Sequence, residues 1–181
     1  MAADQLVPAK ILLVKNPPSG AAKRKVVYKV KENASAATVV GDPTLVGATL
    51  NVALTPGGTQ CFDMPASGWS PISTLGYKYK DAALANGPVK VASIKKTPSG
   101  AFLIKTILKG SGATTIDIVP GNPTASYATN FALGGGDSYC SGTGTATPKP
   151  NDDKTFKVVN DTAPASCAVA ACGSPSGSFV D

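Results

Sequence analysis

Gly41-Asp42-Pro43-Thr44 returns eighty positions later as Gly121-Asn122-Pro123-Thr124, and the neighbours of each copy match as well. At that offset Pro8 meets Pro88, Lys10 meets Lys90 and Lys15 meets Lys95. Pro18-Ser19-Gly20-Ala21 meets Pro98-Ser99-Gly100-Ala101, and Lys25 and Lys29 meet Lys105 and Lys109. Fifteen identities fall between positions 8 and 49, where composition alone gives roughly three. After Leu50 the offset becomes seventy-nine. Asn51-Val52-Ala53-Leu54 then falls on Asn130-Phe131-Ala132-Leu133, Cys61 on Cys140, and Tyr77-Lys78-Tyr79 on Phe156-Lys157-Val158. A unit written twice restricts the chain to folds that two like halves build together. The expected boundaries are a lead-in over 1–7, one copy over 8–87, a second over 88–166, and a tail over 167–181.

The local pattern within each copy is that of strands and turns. The chain carries 19 glycines and 15 prolines between short Val/Ile/Thr runs, which suits many turns and disfavours long helices. Lys10 to Lys15 is a nearly continuous apolar run. Lys23 to Lys31 alternates, with Lys25, Lys29 and Lys31 between Val26, Tyr28 and Val30, so one face packs and the other meets water. The turn at Pro17-Pro18-Ser19-Gly20 makes the two a hairpin, and 89–96 with 102–109 repeats it. Further strands are expected at 38–40 and 116–119, near 46–54 and 126–133, around Cys61 and Cys140, and at 76–80 and 155–159. Asp42 and Asn122 read as turn initiators. The link from Asp81 to Gly87 is too short for hinged domains. The expectation is therefore an all-β, antiparallel β-sandwich built from two tandem repeats of about eighty residues, packed around a shared core with a pseudo-two-fold axis.

The sequence contains no histidine, which removes Ser-His-Asp and Cys-His catalysis and His-ligated metal sites. Four cysteines, none in a CxxC pair, suit an oxidising compartment. Of the three possible connectivities, repeat logic favours Cys140–Cys167 with Cys61–Cys172, because the copy-one equivalent of Cys167 is Pro88 and Cys61 is left without an internal partner. A metal or redox role for Cys167 with Cys172 lacks a third ligand nearby. No stretch is long and apolar enough to span a membrane. Met1-Ala2-Ala3-Asp4 is not a signal peptide, so the reading is a mature exported chain with a new initiator Met. The net charge of +6 is divided between the copies, nine Lys/Arg against four acids over 8–87 and eight against five over 88–166. That even division argues against a nucleic-acid partner.

The remaining candidate sites each have a bland counterpart. Trp69, with Tyr77 and Tyr79 close behind, offers rings for a sugar platform; alternatively Trp69 plugs the end of the sandwich and Tyr77 is core, like its counterpart Phe156. Asp137, Asp152, Asp153 and Asp161 offer loop oxygens for calcium, but turn and surface roles account for them. A hydrolase would need paired carboxylates facing a cleft, and Asp63 and Asp81 have no clear partners. The recurring lysines, Lys15/Lys95, Lys25/Lys105, Lys29/Lys109 and Lys78/Lys157, suit either a basic surface for polysaccharide or envelope components, or, as the favoured reading, protection of exposed strand edges.

Gly41-Asp42-Pro43-Thr44 with Gly47-Ala48-Thr49-Leu50, Gly76-Tyr77-Lys78-Tyr79-Lys80-Asp81, and Gly134-Gly135-Gly136-Asp137-Ser138-Tyr139-Cys140 resemble a group of secreted β-rich bacterial proteins with no assigned activity. The resemblance implies export and transfers no functional residue. The expected function is non-enzymatic, a structural or adhesive protein of the cell surface or extracellular matrix, secreted or periplasmic, without cofactor. The runner-up is a carbohydrate-binding module using Trp69 and the nearby tyrosines, and the third reading is a small carboxylate-dependent hydrolase.

Overall fold

The computed structural model describes residues 2–173. Its elements in chain order are β1 (Asp4–Leu6), β2 (Ala9–Lys15), β3 (Lys25–Glu32), a one-turn helix α1 (Pro43–Val46), β4 (Ala48–Thr55), β5 (Gly58–Met64), β6 (Trp69–Ile72), β7 (Gly76–Lys80), β8 (Val89–Lys96), β9 (Phe102–Lys109), β10 (Ser126–Leu133), β11 (Ser138–Gly142) and β12 (Thr155–Val159). They form two sheets, a five-stranded one ordered β1-β11-β10-β4-β5 and a seven-stranded one ordered β12-β2-β3-β9-β8-β7-β6. All neighbours are antiparallel except β1, which runs parallel to β11. The sheets pack as an all-β sandwich.

Alternation along the strands sets the two faces. On β9, Phe102, Ile104, Thr106 and Leu108 are buried while Lys105 and Lys109 are exposed. On β3, Val26, Tyr28 and Val30 point inward between Lys25, Lys29 and Lys31. The five-stranded sheet answers with Leu50, Val52, Leu54, Phe62, Met64, Phe131, Leu133 and Tyr139, and the two inner faces form one continuous core. A buried polar link ties the sheets as well. The Tyr28 hydroxyl of β3 lies 2.7 Å from Ser141 Oγ of β11, and Ser141 Oγ donates to Val7 O at 2.8 Å. Burial pushes the Tyr28 phenol up to about 12, against the opposing pull of the Ser141 bond.

The two copies meet strand to strand. β3 pairs with β9 so that Val27 faces Ile107, and β4 pairs with β10 so that Asn51 faces Asn130. Each of these couples consists of positions that the repeat equates. The last strand of each copy adds to the first hairpin of the other, with Tyr77 opposite Ile94 and Phe156 opposite Val14. The hairpins themselves depart from this correspondence. Lys15 faces Lys25, but Lys95 faces Leu103 and Ser93 faces Lys105, a slip of two residues that keeps every side chain on its own face.

Several local expectations are corrected. Segments 38–40 and 116–119 join no ladder; each makes a single backbone–backbone bond, Asp137 N to Val40 O and Val119 N to Gly57 O, and is otherwise held by side chains, Gln5 and Tyr139 for the first and Arg24 and Gln60 for the second. Asp42 does not only begin a turn. It caps α1, its carboxylate accepting from Thr44 N at 2.9 Å, whereas the equivalent GNPT segment stays a turn. β1 and β6 are strands the sequence pattern did not reveal. β6 returns into β7 through Gly76, where φ is +156° and any Cβ would overlap Ile94 O.

Candidate functional site

The aromatic cluster lies in the interior. Trp69 is 6% exposed; its indole N–H donates to Met64 O at 3.1 Å, and its ring sits 5.5 Å from that of Tyr79 and 6.5 Å from Phe131. Tyr79 is 2% exposed, and Tyr77 is half-buried against the same core. Positions two apart on a strand share a face, so both tyrosines of β7 turn inward while Lys78 and Lys80 turn out. Trp69 therefore plugs the sandwich, and no aromatic platform of Trp69, Tyr77 and Tyr79 faces solvent. Tyr79, rather than Tyr77, is the fully buried ring.

The acids that accept hydrogen bonds do so from protein donors, local for Asp152 and remote in sequence for Asp137 and Asp161. Asp137 accepts from Ala3 N and from Gln5 Nε2. Asp152 accepts from Lys154 N and Thr155 N, and Asp153 is exposed nearby. Asp161 accepts from Tyr127 Oη, Gly144 N, Ala146 N and Thr162 N, all within 3.0 Å. Burial alone would raise the Asp161 carboxyl, but these donors outweigh it and hold it below the usual carboxylate range. Asp81 is held low in the same way, burial being outweighed by Ala85 N and Asn86 N. Asp63 is exposed on the edge strand β5. Among the described residues, the place where three Cys, Asp or Glu ligand atoms approach one another is Asp4, Cys140 and Cys167. Both sulfurs there are already joined to each other.

Disulfides join Cys61 to Cys172 and Cys140 to Cys167, the pairing that the repeat favoured. Cys140, Asn130, Asn51 and Cys61 stand in one register row across β11, β10, β4 and β5. Three strand spacings make that row about 14 Å wide, within the reach of the five extended steps from Cys167 to Cys172. The tail crosses the outer face along this row. Asn130 Nδ2 donates to Val169 O at 3.1 Å and Asn51 Nδ2 to Ala170 O at 3.0 Å. Small outward residues such as Ala53, Ala128 and Ala132 leave room for a backbone to lie so close. Sequence reasoning anticipated the pinned tail but missed its seat; the available signal was a buried-strand asparagine at the same place in both copies.

The recurring lysines occupy the opposite side of the molecule, on the outer face of the seven-stranded sheet. Only Lys157, on β12, stands on an edge strand; the others do not guard edges. Lys25, Lys29, Lys105 and Lys109 lie on β3 and β9, the third and fourth strands of seven, while the edges are β12 and β6. One row across the sheet reads Ile11, Lys29, Lys105, Ser93, Lys78. The next reads Lys157, Leu13, Val27, Ile107, Val91, Lys80. Beyond it come Lys15, Lys25 and Lys109. No aspartate or glutamate stands in these rows. Three couples, Lys15–Lys25, Lys25–Lys109 and Lys29–Lys105, are directly opposed like charges, an arrangement that weakens a sheet by a few tenths of a kcal/mol per pair up to about 1. Over part of this face lies a groove of about 640 Å³, bordered by Lys29, Lys31, Lys95, Lys105 and Lys157 over Ile11 and Leu103. It is larger than the hollows of about 410 and 400 Å³ beside the tail. Such a surface supplies ammonium donors and aliphatic floor, and it carries no general acid, base or nucleophile beyond lysine and serine. No family model, curated protein or solved structure matches the chain.

Proposed function

We propose that the protein is a non-enzymatic structural or adhesive β-sandwich of the cell surface or extracellular matrix, and that its lysine-bearing sheet face holds anionic polymer. The observation that carries this reading is the set of directly opposed lysines on the two central strands. Like charges in cross-strand register oppose sheet formation, and nothing in the packing requires them, since these side chains point away from the core. An anionic ligand laid across the face converts that repulsion into attraction. Two disulfides suit the oxidising surroundings in which such polymers are met.

Retention on an immobilised acidic polysaccharide tests the reading. The protein is expected to be held at low ionic strength, to elute as salt is raised, and to pass a neutral polysaccharide unretarded. Equal behaviour on the charged and neutral matrices would remove the proposal. The aromatic carbohydrate module receives less support, because Trp69 and Tyr79 lack an accessible ring face.

A further inference from the structure

We infer that one half of this face, the groove around Lys29 and Lys105, is the ligand seat, and that it takes a stretch of polysaccharide bearing a carboxylate on each sugar. This rests on the reading above and narrows it to a place and a ligand class. Charge alone does not single out the seat. The repeat gives the face two equivalent lysine couples, Lys29–Lys105 and Lys25–Lys109, on the same two strands. The groove borders the first and not the second. The two-residue slip of the second hairpin accounts for the difference. It places the small Ser93 beside Lys105, where the first hairpin places Lys15 beside Lys25. It also carries Lys95 out beside Leu103, opposite Lys31, as a further row at the same end.

The lining matches a carboxylated sugar chain in three respects. Ammonium groups face carboxylates with no competing acid in the rows. The half-buried Ile11 and Leu103 offer an aliphatic floor to the C–H faces of sugar rings. Ser93 and the amide of Asn160, whose oxygen already accepts from Lys10 Nζ at 2.6 Å, supply hydroxyl partners at the ends. Single-stranded nucleic acid would call for aromatic stacking surfaces, and the outward positions of these strands carry none. A bilayer would call for protruding apolar groups. Of the exposed large hydrophobics among the described residues, Val159 alone lies at the groove.

The test is the affinity of the full chain for polygalacturonate at low ionic strength, with fold verified by circular dichroism. Lys29→Gln with Lys105→Gln is compared with Lys25→Gln with Lys109→Gln, which removes the same charge from the same strands. The groove couple is expected to weaken binding about tenfold or more and its mate less than about threefold. Ser93→Trp, which fills the groove without changing charge, is expected to weaken binding as the groove couple does, and methyl esterification of the polymer to abolish it. Equal losses from the two couples with no effect of Ser93→Trp would overturn the seat while leaving the basic face intact. No loss from either couple would remove the face itself. Undiminished binding of the esterified polymer, or tighter binding of single-stranded DNA or of anionic phosphatidylserine vesicles, would overturn the ligand class.

Discussion

Lys29 and Lys105 show at the scale of single residues how this sheet holds charge at the expense of stability. Replacing Lys29 with threonine removes one member of an opposed couple and installs a good strand former. The expected outcome is a gain of about 0.2–1 kcal/mol, read from urea denaturation at low salt, that shrinks as salt is added. A loss would mean that the lysine stem packs usefully enough to outweigh the repulsion. Asp161 behaves in the opposite sense. Its folded-state carboxyl titrates below the unfolded one, so its contribution is present above the usual carboxylate pKa of about 4 and is lost as pH falls through the lower folded value. Asp161→Ala leaves the Tyr127 hydroxyl and several loop N–H groups without their acceptor and should cost about 1–3 kcal/mol at neutral pH, with a flatter loss of stability in acid than the parent. Identical acid profiles for the two would contradict this assignment. Residue chemistry of this kind was only partly legible in the sequence. Asp137, Asp152 and Asp161 were visible as loop acids, and Asp152 does find its donors locally, but those of Asp137 and Asp161 include Ala3, Gln5, Tyr127 and Gly144, which no local pattern connects to them.

At the scale of elements, the tail and the hairpins carry the lesson. The pairing Cys61–Cys172 with Cys140–Cys167 was accessible because the repeat isolates the cysteines that have no equivalent. Strand faces were accessible for the same reason that alternation is a local property. Sheet order is not local, and so the lysines of β3 and β9 could be read as edge guards until those strands were seen in the middle of the sheet. Trp69 was legible as a plug of the sandwich, but its neighbours Tyr79 and Phe131, brought to it from other strands, were not. The tail is a strap across the five-stranded sheet, on the far side from the lysines. Replacing all four cysteines with serine should therefore lower stability by at least about 2 kcal/mol while leaving retention on acidic polysaccharide unchanged at temperatures where the variant stays folded. Unaltered stability, or retention lost by a folded variant, would contradict the separation of strap from face.

For the whole molecule, the two sheets divide the labour. One outer face is small-residued and strapped, with Asp4 and Asp63 on its two edge strands; the other is a field of lysines with no acid in its rows. The inner faces form one interior to which both copies contribute, and every boundary between copies within a sheet is a strand ladder: β3 with β9, β4 with β10, β7 with β8 and β12 with β2. That interlocking makes one broad face from two short stretches of chain, and the proposed polymer ligand requires such breadth. On the function proposed above, this face, and not the strapped one, meets the partner. Backbone amide chemical shifts measured while polygalacturonate is titrated into the protein test it most directly. Perturbations are expected on β2, β3, β9 and β8, largest near Lys29, Lys105 and Ser93, with the rows around Asn51 and Asn130 unmoved. Perturbations centred on the strap, or none on either sheet at saturating polymer, would contradict it.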